Sequence, residues 1–144
     1  MGHSLGAIAA AQACYANPQF RACLNLDGIQ RGGPFGTAPV TATPAQPFMF
    51  ITKEQDLPPA TTALLKAGGA RDFLVVLPGA THDNFTDSAV LLPSFLPAHG
   101  RGQQVMDTIN GYVVAFFDQT LRGRSSDLLK KARNTPGVRY EPPE

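Results

Sequence analysis

The 144-residue chain lacks tryptophan and has only two cysteines and three histidines. Charged residues make up 16% of it, and 12 Lys and Arg nearly balance 11 Asp and Glu. A net charge of +1 argues against nucleic acid or an anionic membrane surface as the main partner. No apolar run approaches the roughly 18 residues of a membrane span. Met1 is followed by a motif and not by a signal peptide, which leaves the localisation unknown.

The two cysteines, Cys14 and Cys23, both lie among apolar residues. Two cysteines are too few for a disulfide framework, and an unpaired cysteine behaves as a small buried hydrophobe. We therefore predict two buried thiols. The sequence shows no cluster of metal-ligating residues, and the chemistry expected below requires no metal and no cofactor.

Apolar runs that are typical of buried strands alternate with helical segments along the chain. We predict strands at residues 22–26, 48–52 and 72–77, and a long amphipathic helix at about residues 103–121. Continuous apolar strands that alternate with helices are typical of a parallel sheet covered on both faces. The length and a hydrophobic content of 43% predict one α/β domain, with a tail from residue 136 onward.

The beginning of the chain carries a nucleophile motif. Residues 2–6 match G-x-S-x-G, in which the serine, here Ser4, stands on a tight strand-to-helix turn with its hydroxyl exposed. The glycines let strand and helix approach closely, and the amide of Leu5 is the expected oxyanion donor. An alanine-rich helix follows, with Leu5, Ile8 and Ala9 at helical spacing. The alternative is that Ser4 only caps this helix.

A serine hydroxyl needs a base, and with this motif the acid and then the histidine follow the serine along the chain. His82 comes directly after the third predicted strand, where a base reaches a serine at the same sheet edge. His99, in a loop before the last helix, is the alternative base. His3 only fills the variable position of the motif.

The acid that orients this histidine has three candidates at strand ends. Asp27 ends the first strand after the nucleophile helix, whereas Glu54 and Asp56 follow the next strand. Asp27 is also explained as an Asp-Gly turn, and Asp56 as a helix cap before two prolines. From the order of the residues alone, all three remain open.

Four parts of the sequence resemble the platelet-activating-factor acetylhydrolase family, which has the α/β-hydrolase fold and is related to dienelactone hydrolase-like esterases. They are similar to the family's nucleophile elbow, the strand ending in its catalytic aspartate, the next strand, and its catalytic histidine loop. The corresponding segments here are residues 2–6, 20–27, 46–54 and 79–87. The resemblance implies Ser4 as nucleophile and His82 as base, and it favours Asp27 over Asp56 as acid.

The resemblance also implies that strands and a second oxyanion donor precede the elbow in the complete fold. Residues 1–144 are therefore expected to form a partial domain, the C-terminal half of an α/β-hydrolase fold, with Met1 an artefact of a mis-called start. The expected activity is hydrolysis of a small-molecule or lipid-like carboxylic ester through an acyl-enzyme. The alternatives are an acyltransferase, or a non-catalytic fragment that needs a partner's strands or self-associates through its exposed sheet edge.

Overall fold

Strands and helices alternate along the chain much as its apolar runs predict. The structure, a computed structural model, describes residues 1–28, 45–54, 72–91, 102–131 and 139–141. Within these ranges the elements are β1 (Gly2–His3), α1 (Leu5–Ala16), β2 (Cys23–Leu26), β3 (Phe48–Lys53), β4 (Phe73–Leu77), a 3₁₀ turn (His82–Phe85), α2 (Ser88–Leu91), α3 (Gly102–Arg122), α4 (Asp127–Lys131) and β5 (Arg139–Glu141). The three predicted strands and the long amphipathic helix are confirmed, with boundaries that move by one residue at most.

The strands form one sheet in the described part of the chain, in the order β1-β2-β3-β4-β5. The first four strands run parallel, so their carboxyl ends, and the residues that follow them, meet at one edge of the sheet. β5 runs antiparallel to β4, with Tyr140 opposite Val75. The prediction of a tail from residue 136 was wrong for this strand, because three residues are too few to show an apolar pattern.

The core lies on both faces of the sheet, as the continuous apolar strands predict. Every residue of β2 and β4 is buried. Alternate strand residues contribute to two separate clusters, because successive side chains point to opposite faces. Leu24, Ile51 and Val75 belong to the cluster that includes α3 residues, whereas Phe50 and Val76 belong to the cluster that includes α1 residues. Parallel sheets need cover of this kind on both faces.

Helix α1 packs on the sheet through small side chains. It buries Ala7, Ala11 and Cys14, whereas Leu5 is 61% exposed. The predicted stripe that starts at Leu5 was therefore wrong, because the alanine face allows a closer approach to the sheet than a leucine face would. Asn17, in an extended conformation, ends the helix. No helix of the described residues is both long enough and apolar enough to cross a membrane.

The two cysteines form a disulfide bond between Cys14 of α1 and Cys23 of β2. Their Cα atoms lie 6.4 Å apart, within the range that a disulfide spans. The prediction that both side chains are buried is confirmed, but the prediction of free thiols was wrong. Only the packing of α1 against β2 brings the two residues together, and their spacing in the sequence does not reveal it.

Candidate active site

Ser4 occupies a strained turn between β1 and α1. Its φ of 54° and ψ of −124° are a conformation that residues other than glycine rarely adopt. The backbone is held there by a hydrogen bond from the Ser4 N–H to the carbonyl of Leu26. The Ser4 side chain makes no capping hydrogen bond to the helix, so the alternative of a simple helix cap was wrong. The turn leaves the hydroxyl free to contact another element.

The two glycines of the motif have different roles in this turn. A Cβ atom on Gly2 would lie 2.2 Å from the carbonyl oxygen of Gly6, so β1 and α1 approach each other too closely for any side chain there. A Cβ atom on Gly6 would meet nothing within 4 Å. The expected close approach is thus confirmed, but only the first glycine is required by it.

His82 reaches this serine from the 3₁₀ turn that follows β4. Its Nε2 lies 2.9 Å from Ser4 Oγ, and its Nδ1 lies 2.5 Å from Asp27 Oδ2. The turn is shaped by buried Asn84, whose Oδ1 accepts a hydrogen bond of 2.8 Å from the N–H of Thr81. The His82 side chain remains 44% exposed, so a substrate in solvent has access to it.

Asp27 is a buried carboxylate that ends β2. Its side chain is 1% exposed, and its Oδ1 accepts hydrogen bonds from Thr52 Oγ1 at 2.7 Å and from the Lys53 N–H at 3.2 Å. Both partners belong to the neighbouring strand β3. Since Oδ2 contacts His82, both carboxylate oxygens are used, and each one is held by a different element. This arrangement orients the carboxylate toward Nδ1 of the imidazole.

The backbone at Asp27 adopts a φ of 49°, a second strained position in the site. Asn25 stabilises this turn, because its Oδ1 accepts a hydrogen bond of 2.8 Å from the Gly28 N–H. A Cβ atom on Gly28 would lie 2.5 Å from the Cβ of Ala7 and 2.6 Å from the Ser4 carbonyl oxygen. The Asp-Gly pair is therefore a turn, as the alternative interpretation held, and the same turn carries the carboxylate into the site.

His3 lies next to the His82 ring. The centroids of these two rings are 4.6 Å apart and their planes are tilted by 34°, whereas the ring of Phe85 is nearly parallel to that of His3, with the centroids 6.3 Å apart. Burial lowers the pKa of His3, and the charge of His82 lowers it further. A hydrogen bond with the His82 backbone and the carboxylates of Asp27 and Asp83 oppose this shift without cancelling it. His3 is therefore predominantly neutral at pH 7.

The structure brings together Ser4, His82 and Asp27, and it places Leu5 at the start of α1, directly after the serine. Glu54 is exposed at the end of β3, whereas Asp56 and His99 lie outside the described residues. The described ranges contain no group of three or more His, Cys, Asp or Glu side chains that would hold a metal ion.

Sequence reasoning missed four residues that contact the side chains or turns of this site: His3, Asn25, Thr52 and Asn84. Asn25 and Thr52 are polar positions within buried strands, and this is the signal that would have found them. Asn84 has the spacing of a capping residue three positions after Thr81. Nothing in the sequence marks His3 beyond its place in the motif.

The family model for platelet-activating factor acetylhydrolase, isoform II, matches residues 1–123. The chain belongs to this family. Its fold is similar to that of a ferulic acid esterase from Streptomyces cinnamoneus, with a TM-score of 0.71 and 24% sequence identity. The similarity covers 96% of this chain and 45% of the esterase, so the chain spans less than half of that protein's length. A search of curated proteins finds no match. The expected family and the α/β-hydrolase fold are thereby confirmed.

Proposed function

We propose that the chain carries the catalytic residues of a serine carboxylic-ester hydrolase, with Ser4 as nucleophile, His82 as base and Asp27 as the acid that orients it. The observation that carries this proposal is the continuous contact from Ser4 Oγ to His82 Nε2 and from His82 Nδ1 to Asp27 Oδ2. Nucleophile, base and orienting group within hydrogen-bond reach are the signature of an activated serine. Membership of the acetylhydrolase family supports the same class of reaction.

Acylation begins when Ser4 Oγ attacks the ester carbonyl carbon and its proton passes to His82 Nε2. The Leu5 N–H is one donor to the resulting oxyanion, because it belongs to the first turn of α1, where amide protons have no partner inside the helix. The buried Asp27 carboxylate stabilises the imidazolium that forms. The tetrahedral intermediate then collapses, and the C–O bond to the alcohol breaks as His82 returns the proton to the leaving oxygen.

Deacylation repeats these steps with water as the nucleophile. His82 takes a proton from the water, whose oxygen attacks the acyl carbonyl carbon. Collapse of the second intermediate breaks the bond to Ser4 Oγ, which regains its proton, and the carboxylic acid is released. The substrate class is a small-molecule or lipid-like carboxylic ester.

Hydrolysis of p-nitrophenyl acetate by the purified chain tests this proposal. Ser4→Ala and His82→Ala should each lower kcat/KM by about 10³-fold or more. Ser125→Ala is the matched control, since Ser125 is an exposed serine outside any helix or strand. Equal rates for the Ser4→Ala variant and the control would contradict the proposal.

A second candidate is a chain that acts only after association with further strands. β1 is the edge of the sheet formed by the described residues, and it has only two residues. Met1 and Leu5 beside it are 69% and 61% exposed, which is high for large apolar side chains. Labelling of Ser4 by a fluorophosphonate at increasing protein concentration separates the candidates. A rate constant for labelling that rises with protein concentration favours self-association. A rate constant for labelling that is measurable and independent of protein concentration favours an active monomer.

A further inference from the structure

We propose that His3 is a positioning residue, which holds the His82 imidazole in the orientation that reaches both Ser4 and Asp27. This inference rests on the proposed function, because His82, which His3 is proposed to position, is the general base of the proposed site. It concerns the variable position of the nucleophile motif, for which the motif itself requires no particular side chain.

The first argument is the place of His3 between two residues of one turn. His82 and Phe85 are the first and last residues of the 3₁₀ turn, and the His3 ring contacts both of their rings. Phe85 is buried in the core, so its ring is a fixed surface. His3 therefore connects the turn that carries the base to the strand that carries the nucleophile.

The second argument is the exposure of His82. With 44% of its side chain exposed, the ring is not held by burial. The ring makes hydrogen bonds to Asp27 and Ser4 at its two nitrogens, and the His3 ring lies 4.6 Å from it, tilted by 34°. Hydrogen bonds at the two ring nitrogens leave rotation about the line that joins those contacts weakly restrained. A flat ring packed 4.6 Å away opposes that rotation.

The third argument is that His3, the ring next to the base His82, is neutral. Burial and the charge of His82 together lower the pKa of His3, so His3 remains neutral when His82 carries its proton. A neutral aromatic face beside an imidazolium is favourable, whereas a second positive charge would repel it. The Nε2 atom of His3 is buried and has no hydrogen-bond partner in the described residues, so no hydrogen bond at this atom holds the His82 ring.

The test compares His3→Phe, which keeps a flat ring, with His3→Leu, which keeps an apolar side chain without one. We expect His3→Leu to slow fluorophosphonate labelling of Ser4 by roughly 10- to 100-fold, because misplacement of a catalytic group by about 1 Å costs a factor of this order. His3→Phe should restore most of the rate. Circular dichroism and thermal melting establish that each variant is folded. Should His3→Leu fail to fold, Phe85→Leu loosens the same stack from its other side and should give a smaller decrease.

A second readout does not depend on activity. Proton NMR of the wild-type chain should show a downfield signal from the His82 Nδ1 proton in its short hydrogen bond to Asp27. This signal should be lost or broadened in His3→Leu and retained in His3→Phe. A wild-type chain that is not labelled above Ser4→Ala, but shows this NMR pattern, would contradict the proposed function and leave the positioning role supported. A folded His3→Leu variant with the labelling rate and NMR signal of the wild type would overturn the inference.

Discussion

Thr52 donates a hydrogen bond of 2.7 Å to the same Asp27 carboxylate that contacts His82 through its other oxygen. The two residues lie at the ends of adjacent parallel strands, where the pairing of Leu26 with Ile51 brings them side by side. Both are buried, so the hydroxyl contributes to a carboxylate that water scarcely reaches. This pair connects strand register to the chemistry of the site.

The Thr52→Val variant removes the hydroxyl and keeps the shape of the side chain. A hydrogen bond to a buried charged group is worth about 1.5–3 kcal/mol, so we expect kcat/KM for p-nitrophenyl acetate to fall by about 10-fold or more. Thr52→Ser should retain most of the activity. Thr108→Val is the matched control, since the Thr108 hydroxyl donates its hydrogen bond to the carbonyl of Gln104 within α3 and not to a residue of the site. Wild-type activity in Thr52→Val would show that the Asp27 carboxylate is oriented without this hydroxyl.

The two glycines of the motif should respond in opposite ways to alanine. Gly2→Ala places a methyl group 2.2 Å from the Gly6 carbonyl oxygen, and we expect it to lower the free energy of unfolding by about 1–3 kcal/mol. Gly6→Ala meets open space in a helix, where alanine is favoured over glycine by about 1 kcal/mol. Urea unfolding of both variants measures the difference. A Gly6→Ala variant that is as unstable as Gly2→Ala would contradict the geometry of the turn.

The Cys14–Cys23 disulfide should stabilise the chain measurably. It joins α1, which begins after Ser4, to β2, which ends before Asp27, and closes a loop with a sequence separation of 9. Reduction should lower the free energy of unfolding by about 2–4 kcal/mol, since the unfolded chain gains freedom. The double variant Cys14→Ala/Cys23→Ala is the control, because reductant should not change its stability. Equal stability of the oxidised and reduced wild type would refute this prediction.

His3 should make the stability of the chain depend on pH. Its pKa lies below the ordinary value of 6.5 because of burial and the neighbouring His82, even though the carboxylates of Asp27 and Asp83 act in the opposite direction. The unfolded chain therefore binds a proton at this residue at a higher pH than the folded chain does. The contribution of His3 to the free energy of unfolding is therefore fully present above pH 6.5, and it is lost as the pH falls through the lowered pKa of the folded chain.

Urea unfolding of the wild type and of His3→Phe at about pH 7 and about pH 5 measures this contribution. The decrease in stability toward low pH should be smaller in His3→Phe, because the titrating group is absent. Titratable groups that do not interact with His3 are unchanged and cancel in the comparison. An identical decrease in both proteins would mean that His3 has the same pKa in the folded and unfolded states.

The local parts of this molecule are encoded in short stretches of sequence. The apolar patterns alone predicted β2, β3, β4 and α3, because a strand covered on both faces must be apolar over its length, and a helix that packs on the sheet must carry an apolar stripe. The G-x-S-x-G motif predicted a tight turn at Ser4, because the required close approach involves residues only four positions apart. The histidine that reaches the serine was predicted from its place after a strand, since residues that follow parallel strands share one edge.

The remaining features depend on contacts between residues that are distant in the sequence, and only the tertiary structure decided them. The contact of His82 with Asp27 spans 55 residues, and that of Thr52 with Asp27 spans 25. The order of the residues left Asp27, Glu54 and Asp56 open as acids, and the family resemblance favoured Asp27 over Asp56. Strand register distinguishes Asp27 from Glu54, because it buries Asp27 against β3 and leaves Glu54 exposed.

The same physical origin applies to three further features: the disulfide, the pairing of β5 with β4, and the contact of the His3 ring with the His82 ring. Each joins two segments whose own sequences are compatible with other partners: two cysteines that would also be buried as thiols, a three-residue strand without an apolar pattern, and a histidine at a variable position. The sequence by itself determined the candidates for the site, Ser4, His82 and three possible acids, and most of the segments that are strands or helices. The packing of α1 and the register of the sheet determined which of those side chains meet.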